Sequence, residues 1–146
     1  RRNALVHEPD GNMTNEKGRR RERQAREIYE FAGYECQPFH EQRYAEGDGY
    51  GLFDFLAVHA YRKPRLVQVK SNRGEGIGDV VAFAHERIAW PDHVKIDFAV
   101  CHDREGWRLL QPIEDSGTPH TVAFDEREHD APMGDALARA LLDGEV

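Results

Sequence analysis

Two short apolar strings, Phe53-Asp54-Phe55-Leu56-Ala57 and Leu66-Val67-Gln68-Val69-Lys70, lie a hairpin's length apart and constrain this chain more than any other feature. Both are rich in apolar or β-branched residues, which suits strands, yet one carries a carboxylate and the other a carboxamide and an amine. Between them, His59 to Arg65 contains Lys63-Pro64 and no apolar run, so a turn is expected to join two antiparallel strands. With that turn centred near Arg62, Asp54 falls opposite Lys70 and diagonal to Gln68. Side chains alternate along a strand, so Leu66, Gln68 and Lys70 share one face while Val67 and Val69 take the other. The three polar groups are expected to meet.

The flanking pattern supplies the frame. Residues 1–15 mix Asn, Pro, Asp and Gly without periodicity and read as a flexible arm, with residues 1–12 a possible leader ahead of Met13-Thr14. From Glu16 to Ala32 the spacing is helical: Ala25, Ile28, Tyr29 and Ala32 form a buried stripe and Gly33 a stop. Glu22 lies beside that stripe, whereas Glu27 and Glu30 point away. Tyr34 to Phe39 reads as a first strand, and the glycine-rich stretch 44–51 as a loop at the rim of any site near Asp54. After Lys70 come a second glycine-rich stretch, 71–78, and a helix from Asp79 to Trp90. Ile96 to Val100 and Trp107 to Gln111 read as paired strands, Thr121 to Phe124 as an edge strand, and Gly134 to Leu142 as a terminal helix. The expected class is α/β: a mixed sheet of about five strands flanked by helices, with residues 16–146 as one domain ending in an acidic extension.

Charge is unevenly distributed. Residues 1–34 hold eight Lys/Arg and six acids, whereas residues 111–146 hold two and nine within a net charge of −7. A basic head and an acidic tail suit a local anion-binding surface better than a uniformly basic coat. Sixteen arginines against four lysines, with abundant acids and low apolar content, resemble the composition of extreme halophiles. In brine, diffuse positive charge contributes little to phosphate binding, so the acidic balance is weak grounds for excluding nucleic acid. Cys36 and Cys101 are isolated and expected to be reduced thiols in a cytoplasmic protein. Cys36 with His40, or Cys101 with His102, could each be only half a metal site. No stretch is apolar enough to span a membrane.

Glu22, Asp54, Gln68 and Lys70 are expected to converge at one end of the sheet. Carboxylate and carbonyl oxygens suit a hard cation such as Mg²⁺ or Mn²⁺. An amine two residues beyond a metal ligand, on the same face, could contact an attacking water or negative charge developing on phosphorus. Taken singly, each residue has an ordinary explanation: Glu22 as a solvated helix acid, Asp54 as a turn acid, and Gln68 with Lys70 as the wet face of an edge strand. Their order and shared face favour the joint reading.

That ordered set resembles the PD-(D/E)XK nuclease superfamily and, within it, the archaeal Holliday junction resolvases. Lys17-Gly18, Glu22-Arg23 and Gly33-Tyr34 resemble the family's first-helix signature; Phe53 to Ala57 its metal-binding Asp strand; and Val67-Gln68-Val69-Lys70-Ser71 its Glu-x-Lys strand. Ile96 to Val100 followed by Gly106-Trp107-Arg108 is similar to its late hairpin, so the resemblance spans roughly residues 16–112. It implies a restriction-endonuclease-like fold and Mg²⁺- or Mn²⁺-dependent hydrolysis of branched DNA by a homodimer. Asp54, Gln68 and Glu22 would hold metal, and Lys70 would act on the nucleophilic water. Gln68 stands where the family usually has Glu, removing one negative charge, and the family's arginine after the first strand is unmatched unless His40 or Arg43 replaces it. Arg23, Arg43, Arg73 and Arg19 are the candidate phosphate contacts, with solvation the competing explanation for the helical ones. Two alternatives stay open: a nuclease of this fold acting on other DNA structures, and a non-catalytic nucleic-acid-binding module with a decayed site.

Overall fold

The computed structural model describes residues 8–39, 52–72, 76–87, 93–113, 118–124 and 133–146, with backbone alone for 8–15. The elements are α1 (Glu8–Phe31), β1 (Glu35–Pro38), β2 (Phe55–Val58), β3 (Arg65–Ser71), α2 (Ile77–Glu86), β4 (Lys95–His102), β5 (Gly106–Gln111), β6 (His120–Ala123) and α3 (Asp135–Asp143). The strands form one sheet in sequence order, antiparallel throughout except for the parallel β3–β4 pair that α2 connects. This is the mixed α/β arrangement expected of a restriction-endonuclease-like domain, with six strands in place of about five.

Helix α1 forms where the stripe predicts. Ala25, Ile28, Tyr29 and Ala32 are buried, and Tyr29 packs edge-to-face on Tyr34 and Phe55 at centroid distances of 5.8 and 5.5 Å. Gly33 ends the helix at φ +96°, where a Cβ would lie 3.0 Å from the His59 ring. Of the arm expected over residues 1–15, residues 8–15 continue α1 toward the N-terminus, and residues 1–7 lie outside the described residues.

The hairpin register differs by one position from the expectation. Leu56 pairs with Leu66 and Phe55 with Val67, which centres the connection on Tyr61 rather than near Arg62. The sheet then separates two apolar layers. On one side, α1 and α3 cover Phe55, Ala57, Val67, Ala99, Cys101, Trp107 and Leu109. On the other, Val80, Phe83 and Ala84 of α2 cover Phe53, Leu66, Ile96, Phe98 and Val100.

Arg65 and Asp97 contradict the simple alternation of apolar-in and polar-out. Arg65 falls within the expected turn but opens β3, and both residues are buried. Arg65 donates to Asp97 Oδ2 and to the Tyr34 hydroxyl, each at 3.0 Å, and also to the Val146 carbonyl. Asp97 accepts further bonds from Tyr29 Oη at 2.6 Å and Gln111 Nε2 at 2.9 Å. Burial opposes the Arg65 charge, but Asp97, Tyr29 and Tyr34 outweigh it and raise its pKa.

Candidate active site

At Asp54 the β2–β3 ladder stops being regular. Its N–H donates to the Val67 carbonyl at 2.9 Å, its own carbonyl accepts from Phe39 N–H at 2.9 Å, and its carboxylate Oδ2 accepts from Val69 N–H at 2.7 Å. A side-chain oxygen therefore binds a β3 amide just where β2 ends. The break also explains why Phe53 packs with Leu56 in the α2 layer, although strict alternation would place it beside Phe55.

One residue before Val69, Gln68 Oε1 is buried and has no hydrogen-bond partner among the described residues. A buried carbonyl oxygen without a donor is costly, so its placement needs a reason. Lys70 follows two residues later, half-buried, on the face that also carries Leu66. Its stem runs toward the start of α2, where a Cβ on Gly76 would lie 3.9 Å from Lys70 Cε. Among the described residues its amine forms no ion pair. The register and the shared face thus bring Asp54, Gln68 and Lys70 to one end of the hairpin.

Glu22 belongs to the layer on the other face of the sheet from Leu66, Gln68 and Lys70. It lies on α1, which covers the Val67 side of the sheet, and its carboxylate accepts from Arg26 Nη1 at 3.0 Å with the side chain 12% exposed. One turn later, the Arg26 carbonyl lies 3.8 Å from Cys36 Sγ on β1, so this flank of α1 faces the β1–β2 side of the sheet. Arg19 and Arg23 are exposed. Lys17 and Arg21 both bind Asp103, and Arg26 binds Glu22. Arg43, Arg73, His40 and the 44–51 loop lie outside the described residues.

A carboxylate held on the Val69 amide, next in sequence to an orphaned amide oxygen, is a donor pair suited to a hard divalent cation. Among the described residues, no three of His, Cys, Asp and Glu cluster closely enough to hold a metal. A cation here would use Asp54 and the Gln68 carbonyl and keep several waters, as Mg²⁺ commonly does. His40, the expected partner of Cys36, lies outside the described residues. Cys101 is buried with its Sγ 3.5 Å from Met133 Sδ, while burial, aided by Glu30, pushes the Cys36 thiol up to about 12. Among the described residues, no helix is long and apolar enough to cross a membrane.

Sequence reasoning missed two polar clusters. Arg65 reads as a turn residue and Asp97 as an outward strand position, and nothing local marks either as buried. Asp103 reads as part of a tight connection, although it binds Lys17, Arg21 and Asn72.

No family model and no curated protein matches the chain. Among solved structures it is similar to that of Hjc, a Holliday junction resolvase from the archaeal hyperthermophile Archaeoglobus fulgidus, at 17% identity and a TM-score of 0.48, covering 85% of this chain and 99% of that one.

Proposed function

We propose that this chain hydrolyses DNA phosphodiester bonds with Mg²⁺ or Mn²⁺ at the Asp54 end of the β2–β3 hairpin, and that branched DNA is its substrate. The observation that carries the proposal is the buried Gln68 Oε1, without a partner among the described residues, on the residue next to Val69, whose N–H holds the Asp54 carboxylate. An apolar strand gains nothing from such an atom, whereas a cation bound between the two side chains would satisfy it.

Asp54, its carboxylate oriented by Val69 N–H, and Gln68 would hold the cation, with Glu22 contributing through water. The bound cation would polarise the phosphoryl oxygens and make coordinated water a better nucleophile. Lys70 supplies donors and no acceptor, so its ammonium would orient that water or face the charge developing on phosphorus. Gln68 brings one negative charge fewer than a glutamate would, and weaker metal affinity is the expected consequence. Arg19 and Arg23 would meet phosphates, as would Arg43 and Arg73.

The preference for branched DNA rests on the ordered motifs that resemble archaeal Holliday junction resolvases. A four-way junction has twofold symmetry, which suits a homodimer. The test is a panel of labelled four-way junction, flap, nicked and linear DNA with Mg²⁺ or Mn²⁺ at low and high salt. Paired cuts near the branch point are expected only with a divalent ion. Equal cutting of linear DNA would reassign the substrate, and metal-independent binding without cutting would make the chain a binding module.

A further inference from the structure

Helix α1 and the polar end of β3 belong to different layers of the fold, and one acid joins them. Asp103 lies in the turn between β4 and β5. Its carboxylate accepts from Lys17 Nζ at 2.9 Å, from Arg21 Nη2 at 2.5 Å and from Asn72 Nδ2 at 3.0 Å. Asn72 responds by accepting the Asp103 N–H at 2.8 Å, while its own N–H donates to the Cys101 carbonyl at 2.8 Å. It adopts φ 62°, a left-handed conformation that asparagine visits more readily than most residues. These hydrogen bonds, from Lys17 first, then Asn72 and Arg21, hold the Asp103 carboxyl well below the usual carboxylate range.

The positions of these partners matter. Lys17 and Arg21 are one helical turn apart, and Arg21 immediately precedes Glu22. Asn72 stands two residues beyond Lys70. From Ala25 to Ala32, α1 is fixed by buried apolar contacts, but between residues 16 and 24 only Arg21 is buried. The Asp103 contacts therefore tie the segment bearing Glu22 to the β4–β5 turn and, through Asn72, to the end of β3, while Arg21 also touches Met133.

We propose that Asp103 is a positioning residue: acting through Lys17, Arg21 and Asn72, it sets the separation between Glu22 on α1 and the Gln68–Lys70 end of β3. This inference rests on the metal-site reading above, and Asp103 itself touches neither cation nor substrate. Removing it takes away the shared acceptor that links this stretch of α1 to Asn72 and the strand end, while the apolar layers stay packed.

Mn²⁺ binding, followed by the electron paramagnetic resonance of the free ion, tests the proposal without requiring cleavage. Wild type should bind Mn²⁺ in a manner that Asp54→Asn abolishes. Asp103→Ala should weaken that binding on the order of tenfold, the scale of outer-shell effects on metal affinity, with an unchanged denaturation midpoint. Asp103→Asn, which keeps an acceptor for Arg21 and the Asn72 contact, should recover most of it. The Asp103→Ala/Asn72→Ala double variant should be no weaker than Asp103→Ala alone, as expected for two residues in one linkage. Unchanged affinity in Asp103→Ala, beside wild-type binding that Asp54→Asn abolishes, overturns the positioning role alone. A loss that tracks global unfolding and is not rescued by Asn overturns it as well. Wild-type binding that is absent or insensitive to Asp54→Asn overturns the metal site and the positioning role together.

Discussion

Strand β3 carries a polar cluster at each end, and the two differ in how completely they satisfy themselves. At the start, the Arg65 guanidinium reaches Asp97, Tyr34 and the Val146 carbonyl, while Tyr29 and Gln111 occupy the remaining capacity of Asp97. At the other end, Asp54 is held by a backbone amide, but Gln68 Oε1 is buried without a donor and the Lys70 amine has no ion-pair partner among the described residues. Both clusters put polar atoms where a sheet would ordinarily bury hydrocarbon. A closed network fixes structure; an open one is set up for a ligand.

The comparison breaks most easily at Lys70. Lys70→Ala should reduce DNA cleavage about 10²- to 10⁴-fold, the usual range for losing a group that handles the reacting proton. Its denaturation midpoint should stay near that of wild type, because the side chain is half-buried and forms no ion pair among the described residues. Cleavage retained in that variant would remove the functional half of the contrast. Asp97→Ala should do the reverse, destabilising the fold by about 3–5 kcal/mol because the Arg65 charge is left buried. Cleavage per folded molecule should remain unchanged, and replacing Arg65 and Asp97 together with apolar residues should recover much of the lost stability.

Gln68→Glu sharpens the contrast from the metal side. Restoring a carboxylate should tighten Mn²⁺ binding about tenfold, or roughly 1.4 kcal/mol, and leave cutting unimpaired. Without metal, the same variant should be less stable, since two carboxylates would then face each other. Isothermal titration and denaturation with and without Mn²⁺ would measure both effects; weaker binding would contradict the role of Gln68.

The smallest effect belongs to the closed network. Burial first, and the Asp97 carboxylate second, raise the Tyr29 hydroxyl well above the ordinary tyrosine value. The folded protein therefore keeps a proton that the unfolded chain releases near pH 10. This contribution to stability is complete below about pH 10 and is lost as the pH rises toward the folded value. Tyr29→Phe should flatten that alkaline slope in urea denaturation, at a cost of about 1–2 kcal/mol at neutral pH.

What the sequence disclosed follows from periodicity. The α1 stripe, the β2–β3 hairpin, the β4–β5 pair and α3 all carry an apolar repeat with punctuation at one or both ends. The hairpin register was harder to read, because residues 59–64 contain no dipeptide that dictates a single turn type, and the pairing is centred one position earlier than expected. Arg65 and Asp97 escaped notice because a buried ion pair is defined by partners 32 residues apart, while alternation treats every charge as outward-facing. The candidate site was legible through its residue types and order; the orphaned state of Gln68 Oε1 is a property of packing that no local pattern encodes.

Pro38 gives the sheet's outer margin a further property. Phe39 N–H turns inward to the Asp54 carbonyl, so the neighbouring position, which would present its amide outward, is the one occupied by a residue lacking an N–H. A foreign strand approaching β1 would find no donor there, so the rim nearest the polar hairpin resists self-templated growth into fibrils.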